Sequence, residues 1–402
     1  MFSILSRWRQ GAVLLVQTRR PSPNARRGFR PLLEALEDRL TPSTLLVTSI
    51  ADDVNQPGTL RYDVANAQSG DTILLTEAVQ SGIVLTQGEL TLNQNVTITT
   101  ADNNQIMISG DGLSRVFEVA TGAQVSLSNL ILTGGDGVAS PTRTDPNDGL
   151  GGAILVDSGG TLTVGDSTVS DNSAFIGGGV FNIGTLTVNN SILSGNIAAD
   201  NGGAILVDPD GAATVSNSTL SANSAGYDGG AIHNAVLGAL TVSDSTLSGN
   251  SAGFDGGAIS NTIQATATVS DSTLSGSSAA NGGAIYNALG STMTVTGSDL
   301  FDNTASIDGG AIFNDLGGGR MLAVSNSTLS GNSTGGNGGA IFNSATLTVT
   351  GSNLFNNTAS IDGGGIFNNS GTVNVDTSTF SANSPDNIVG GYNDLGGNTG
   401  LP

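Results

Sequence analysis

From residue 151 onward, apolar and polar residues alternate in short bursts separated by glycine, serine and asparagine. "TLTV" at 161–164, repeated at 346–349, is one such burst: every second residue is apolar and most are β-branched. A period of two is the pattern of a strand with one buried face, and runs this short and glycine-punctuated do not make helices. The bursts recur on a fixed plan. The first glycine of a GG pair falls at 151, 177, 202, 229, 256, 282, 309, 338 and 363, giving nine units with steps of 25 to 29 residues. In each unit a strand valine is followed eight residues later by a small polar residue: Val164/Asn172, Val188/Asn196, Val215/Asn223, Val242/Asn250, Val269/Ser277, Val295/Asn303, Val324/Asn332, Val349/Asn357 and Val375/Asn383. A serine stands three residues after every one of those valines.

The constant part of a unit identifies what is stacked. From the Asn or Ser to the next GG pair is five or six residues, whereas GG to valine runs from 11 to 15. Length variation therefore sits in one loop, as when insertions project from one edge of a solenoid. Three short strands and three turns per unit of about 26 residues describe one coil of a parallel β-helix, pairing with the next coil at about 4.8 Å. The expected fold is all-β: a right-handed parallel β-helix of about twelve coils with a short N-terminal helical cap. Its core is three aliphatic stacks: the Ile154-to-Ile366 column of the GGAI phrase, the valine column, and the column from Val169 to Phe380. The glycine pairs supply positive φ at a tight corner, and the asparagines form a ladder from coil to coil at another.

Composition agrees. Aromatic residues are 4% and charged residues 11% of the 402 positions, glycine supplies 59, and 37% of residues are apolar. That is too apolar and too regular for disorder. Cysteine is absent, so no disulfide framework or thiolate metal site exists. Charge is divided unevenly. Residues 1–40 hold eight of the twelve basic residues, leaving 30 acids and 4 arginines in the body, a formal charge of −26. Such a field repels phosphate backbones and anionic membranes, which excludes nucleic acid as a partner of the body. The plan is a basic targeting arm over 1–43, a cap and irregular first coils over 44–135, a loop insert over 136–150, nine repeats over 151–387 and a C-terminal tail over 388–402. The one apolar run of the arm, Ala12 to Val16, is too short for an ordinary signal core or a membrane span.

Three stretches carry family resemblances. "RPLLEALEDRLTPS" at 30–43 resembles the short motif near the start of many secreted or surface proteins of planctomycete bacteria, which implies targeting or processing. GGAI followed by F/L-x-x-N, as in "GGAIFND" at 309–315 and "LFDN" at 300–303, resembles the polymorphic outer-membrane protein repeat of chlamydial surface proteins. "GTLRYDVANAQSGDTILL" at 58–75 resembles the N-terminal part of secreted right-handed β-helix proteins, in which a short helix closes the solenoid; Leu60, Val64 and Ala67 are placed to do so here. The chlamydial passengers precede a C-terminal membrane barrel, whereas this chain stops at Pro402. The resemblance implies export to the cell surface or beyond, with no transmembrane segment and no barrel.

Chemistry is sparse. Parallel β-helices include polysaccharide lyases and hydrolases, but the body offers only His233, Arg61, Arg115, Arg143 and Arg320 as bases or cations. His233 occupies a slot filled by Phe or Tyr in five other units, Arg61 and Arg115 are placed for salt bridges in the first coils, and Arg143 and Arg320 lie in loops. The expectation is therefore no enzyme and no catalytic residue: a scaffold that meets an extracellular glycan or protein through its variable loops, with a polysaccharide-active enzyme as the alternative. Outward T-x-T rows such as Thr161/Thr163 resemble ice-binding arrays, yet Ala212, Ala239 and Met321/Ala323 interrupt them. No organic cofactor is expected. The residue before each GG pair is aspartate in four units, and one coil step sets Asp228 and Asp255 about 5 Å apart. Carboxylates that close repel, and a structural calcium ion using Asp228 and Asp255 would relieve them.

Overall fold

A computed structural model describes residues 42–137, 148–315 and 321–402. The basic arm with its targeting motif, Arg143 and Arg320 lie outside the described residues. The body is a parallel β-solenoid whose four sheets hold 14, 12, 12 and 8 strands. One coil contains Ile232–Asn234, Ala239–Ser243, Thr246–Ser248 and Ser251–Ala252, so each regular coil has four strands where the sequence pattern suggested three. The added strand is a Ser–Ala pair, too short to show a periodic pattern, and it lies between the asparagine and the next GG pair.

The three expected columns are inside. Ile232, Val242 and Leu247 are completely buried, as are their counterparts in adjoining coils. A fourth inward column, including Leu240, Ala267, Met293 and Leu322, alternates with the threonines of the 14-stranded sheet. Register is direct, with Ile232 opposite Ile259 and Val242 opposite Val269. Identical shapes therefore stack along the axis, which fills a core with few aromatics. The cap is a helix over Leu60–Asn66, N-capped by Thr59, with Leu60 buried and Val64 and Ala67 packed on the first coil. Residues 388–402 add strands at Ile388–Val389 and Asn393–Asp394, and Tyr392 and Leu401 lie against the core.

Glycine performs two different tasks in each pair. The first, such as Gly256 with φ 66°, turns through the left-handed region. The second lies where the neighbouring coil's backbone passes too close for any side chain. Polar ladders hold the remaining corners. Asn172, Asn196, Asn223 and Asn250 are linked Nδ2 to Oδ1 at 2.9–3.0 Å, and Asn303, Asn332, Asn357 and Asn383 form a second run beyond Ser277. Another ladder, unassigned in the sequence, joins Asn234, Asn261, Asn287, Asn314, Asn343 and Asn368 at the end of the GGAI strand. The recurrent serine forms a third, its Oγ accepting the amide of the preceding coil's serine, as Ser245 N–H does to Ser272.

Candidate functional site

The 12-stranded sheet that contains the GGAI strands carries the chemistry on its outward face. In a three-residue strand the outer two side chains point into the coil and the middle one points out. Those middle residues align in register as Thr91, Glu118, Leu155, Phe181, Leu206, His233, Ser260, Tyr286, Phe313, Phe342 and Phe367. Leu155, Phe181 and Leu206 form a small apolar cluster with Leu150, Ile176 and Ile183, and the rings from Tyr286 to Phe367 stack at 4.6–5.5 Å.

At the N-terminal end of this strip, charge is concentrated. Both described arginines converge on Glu89: Arg61 Nη1 donates to its carbonyl at 3.1 Å and Arg115 Nε to its Oε2 at 2.5 Å. Arg61 also pairs with Asp52 at 2.5 Å, and Arg115 donates to the Leu150 carbonyl. The salt-bridging expected of these arginines is thus present, but the setting holds more. Thr91 donates to Glu118 Oε2 at 3.3 Å. Burial, with the charges of Glu89 and Asp157 added, holds the Glu118 carboxyl above the usual range against the pull of Arg115. Burial also raises Asp157, with Arg115 opposing and Glu89 adding. A cavity of about 290 Å³ is lined by Gln87, Glu89, Ser114, Arg115, Asp136 and Asp148 among others, so Glu89 and Arg115 face it while Glu118 and Asp157 are not among its lining residues. A second, of about 510 Å³, shares Gln87 and Glu89 and reaches Arg61 and Thr91. Sequence reasoning missed the carboxylates because Glu89, Glu118 and Asp157 lie 29 and 39 residues apart, the first two of them in irregular coils. The available signal was charge itself, rare in this chain yet clustered one coil apart.

Farther along, Asp228 and Asp255 stand on successive coils, as expected. The Asp255 N–H donates to Asp228 Oδ1 at 3.2 Å and Asn281 Nδ2 to Asp255 Oδ1 at 3.0 Å, so this corner too is a ladder. Across the strip, Tyr286 donates to Asp315 Oδ2 at 2.7 Å. Its phenol is pushed up by burial first, then by that bond and by the charges of Asp255, Asp315 and Asp228, which places it among all three carboxylates. Among the described residues no group of three or more His, Asp or Glu gathers around one point as a metal site. Calcium at this pair would have to draw its other oxygens from backbone carbonyls and water.

Burial first, then the neighbouring Asp255, lifts Asp228 to about 6. The sign follows from linkage. With its folded pKa above the unfolded value, the native state binds more protons between about pH 4 and 6, so stability falls as pH rises through that window. Asp228→Asn, a residue already standing at the equivalent Asn201 and Asn281, should raise stability at pH 8 by about 1–2 kcal/mol after solvent screening and leave it unchanged near pH 4. Urea titrations at the two pH values measure this; an equal effect at both would refute the electrostatic cause.

Comparison with known proteins bears on the fold. A family model described as the Chlamydia polymorphic membrane protein repeat matches residues 190–208. No curated protein matches the sequence, and no comparison supports the planctomycete-type motif at 30–43. Among solved structures, the catalytic domain of a GH87 α-1,3-glucanase variant in complex with tetrasaccharides is 14% identical, with 89% of this chain and 69% of that chain covered and a TM-score of 0.51. A pectate lyase is also 14% identical, with 82% and 78% covered and a TM-score of 0.46. A β-helix of this fold is the catalytic domain of the glucanase, and the expectation that this chain is not an enzyme is corrected. That expectation counted bases. Carboxyl groups were left out of that count: Glu118 stands in the outward strip and Asp157 one residue past the paired strand of the next coil.

Proposed function

We propose that this chain is an exported, surface-associated β-helix protein that hydrolyses a polysaccharide, with Glu118 as general acid and Asp157 as general base. The observation that carries the reading is the setting of Glu118 and Asp157 on adjoining coils around the Arg115–Glu89 pair, which itself lines a cavity in the first coils, with the carboxyls of Glu118 and Asp157 held above their ordinary range. A carboxyl that keeps its proton toward neutral pH can protonate a glycosidic oxygen, while a second carboxylate takes a proton from the attacking water. Arg115, fixed by Glu89 and the Leu150 carbonyl, provides fixed positive charge beside the pair. The fold shared with the α-1,3-glucanase domain supports a sugar polymer as substrate, and the repeat match at 190–208 supports a place at the cell surface.

The test is release of reducing ends from a panel of α- and β-glucans, aminoglycans and polyuronates by the full chain. Glu118→Gln and Asp157→Asn should each lower kcat by about 10²–10⁴-fold, and the wild-type rate should fall as pH rises through the Glu118 pKa. Absence of turnover on every polymer, or full activity in Glu118→Gln, overturns the assignment. Retained binding without turnover would leave recognition through the variable loops at 206–211, 235–239 and 262–266 as the function, together with those at 136–149 and 315–321, most of which lie outside the described residues.

A further inference from the structure

Downstream of the proposed acid pair, two consecutive coils repeat one arrangement. Tyr227 and Phe254 are stacked, with centroids 5.1 Å apart and planes 13° from parallel, yet are 54% and 53% exposed. Each is followed directly by a carboxylate, Asp228 and Asp255. Ring pairs that stack but stay in water are uncommon on a chain with so few aromatics, and they present apolar edges and π-faces at the rim. Each carboxylate uses Oδ1 in the corner ladder and leaves Oδ2 without a hydrogen bond.

The floor beside this rim supplies an independent sign of a ligand. His233 Nδ1 and Ser260 Oγ, on the same two coils, are buried without a hydrogen-bond partner. His233 is 7% exposed, and burial lowers its pKa to about 4, so it is neutral there. Unpaired buried polar atoms are costly, and both side chains occupy the middle, outward position of strands that follow directly on the Asp228 and Asp255 corners.

We propose that Tyr227, Asp228, Phe254 and Asp255 form a subsite for an amine-bearing polysaccharide, a polymer of glucosamine type, whose ammonium groups meet the carboxylates while its sugar rings lie on the aromatic rib. Charge decides the class: the body carries −26, no described cation stands at this rim, and a polyuronate would be repelled. An ammonium gains from both the carboxylates and the ring faces. One sugar per coil keeps pace with the solenoid, whose rise is about 4.8 Å, and the four coils from Glu118 to His233 set the subsite about 20 Å from the acid pair.

This inference rests on the polysaccharide reading, and its test separates the two. Isothermal titration of the full chain with a glucosamine hexamer, its fully N-acetylated counterpart and an oligogalacturonate should give about tenfold or tighter affinity for the free amine, weakening at high salt. Asp228→Asn/Asp255→Asn should abolish the preference and keep the weaker, salt-insensitive binding. Tyr227→Ala/Phe254→Ala should weaken both aminoglycan oligomers. Equal affinity for amine and N-acetyl forms, or tightest binding of the oligogalacturonate, overturns the amine subsite while leaving polysaccharide hydrolysis standing. Binding of no glycan, with no turnover of any polymer, overturns both.

Discussion

Gly257→Ala should cost about 3–5 kcal/mol, more than any exposed substitution on the solenoid, although it adds one methyl group. A Cβ at Gly257 would run into the Gly283 carbonyl of the next coil and stand 2.6 Å from the Ser278 N and O atoms. None of these is a flexible side-chain end. The neighbouring coil would have to move, and with it the Gly257 N–H bond to Gly282 O at 3.2 Å and the Ala258 bond to Ala284 O at 2.9 Å. Overpacking against backbone costs more than overpacking against a side chain, because the strain spreads along every ladder in the coil. Gly249→Ala is the control. Gly249 has φ 61° and open space around the added Cβ, and Ala222, one coil away, already adopts φ 53°. Its expected cost is about 1 kcal/mol. Equal urea midpoints for the two variants would show that conformation, and not close approach, fixes the second glycine.

How far the sequence carried the argument depended on whether a feature repeats. The Ile, Val and Leu columns, the GG corner and the Asn172-to-Asn383 ladder were readable because nine copies fix each position by its spacing. The short sheet of pairs such as Ser224–Ala225 was not, since two residues carry no period. The ladder from Asn234 to Asn368 sat in plain view as the last residue of GGAI-x-N but was not separated from strand patterning. The arginine–carboxylate cluster was hidden for another reason. Glu89, Arg115 and Glu118 belong to coils that lack the repeat phrase and Asp157 follows its first copy at 151–154, so only the three-dimensional register brings them together. Repetition exposes what holds the solenoid up, while the charged residues of the first coils come together only in three dimensions.

Asn250→Leu should destabilise the chain by about 3–5 kcal/mol, and the reason lies in what it leaves behind. Asn250 is fully buried. Its Oδ1 accepts both the backbone N–H and the Nδ2 of Asn223 at 3.0 Å, and its Nδ2 donates to the Leu220 carbonyl at 3.0 Å. Leucine keeps the branched outline, in somewhat larger form, but strands two donors and one acceptor in a dry corner, each costing about 1–3 kcal/mol with some relaxation. Ser277 tests the same physics in the opposite direction. Its side chain is too short to reach Asn250 and donates to its own coil's Ser275 carbonyl at 3.4 Å, so the ladder is cut between two four-rung runs. Ser277→Asn should join them, giving Asn250 the side-chain acceptor on the next coil that every other rung from Asn172 to Asn357 possesses, and raise stability by about 1 kcal/mol. Equilibrium unfolding of both variants decides the matter. A neutral Asn250→Leu would remove the ladder as a source of stability, and a destabilising Ser277→Asn would mean that the corner at that coil is shaped for serine.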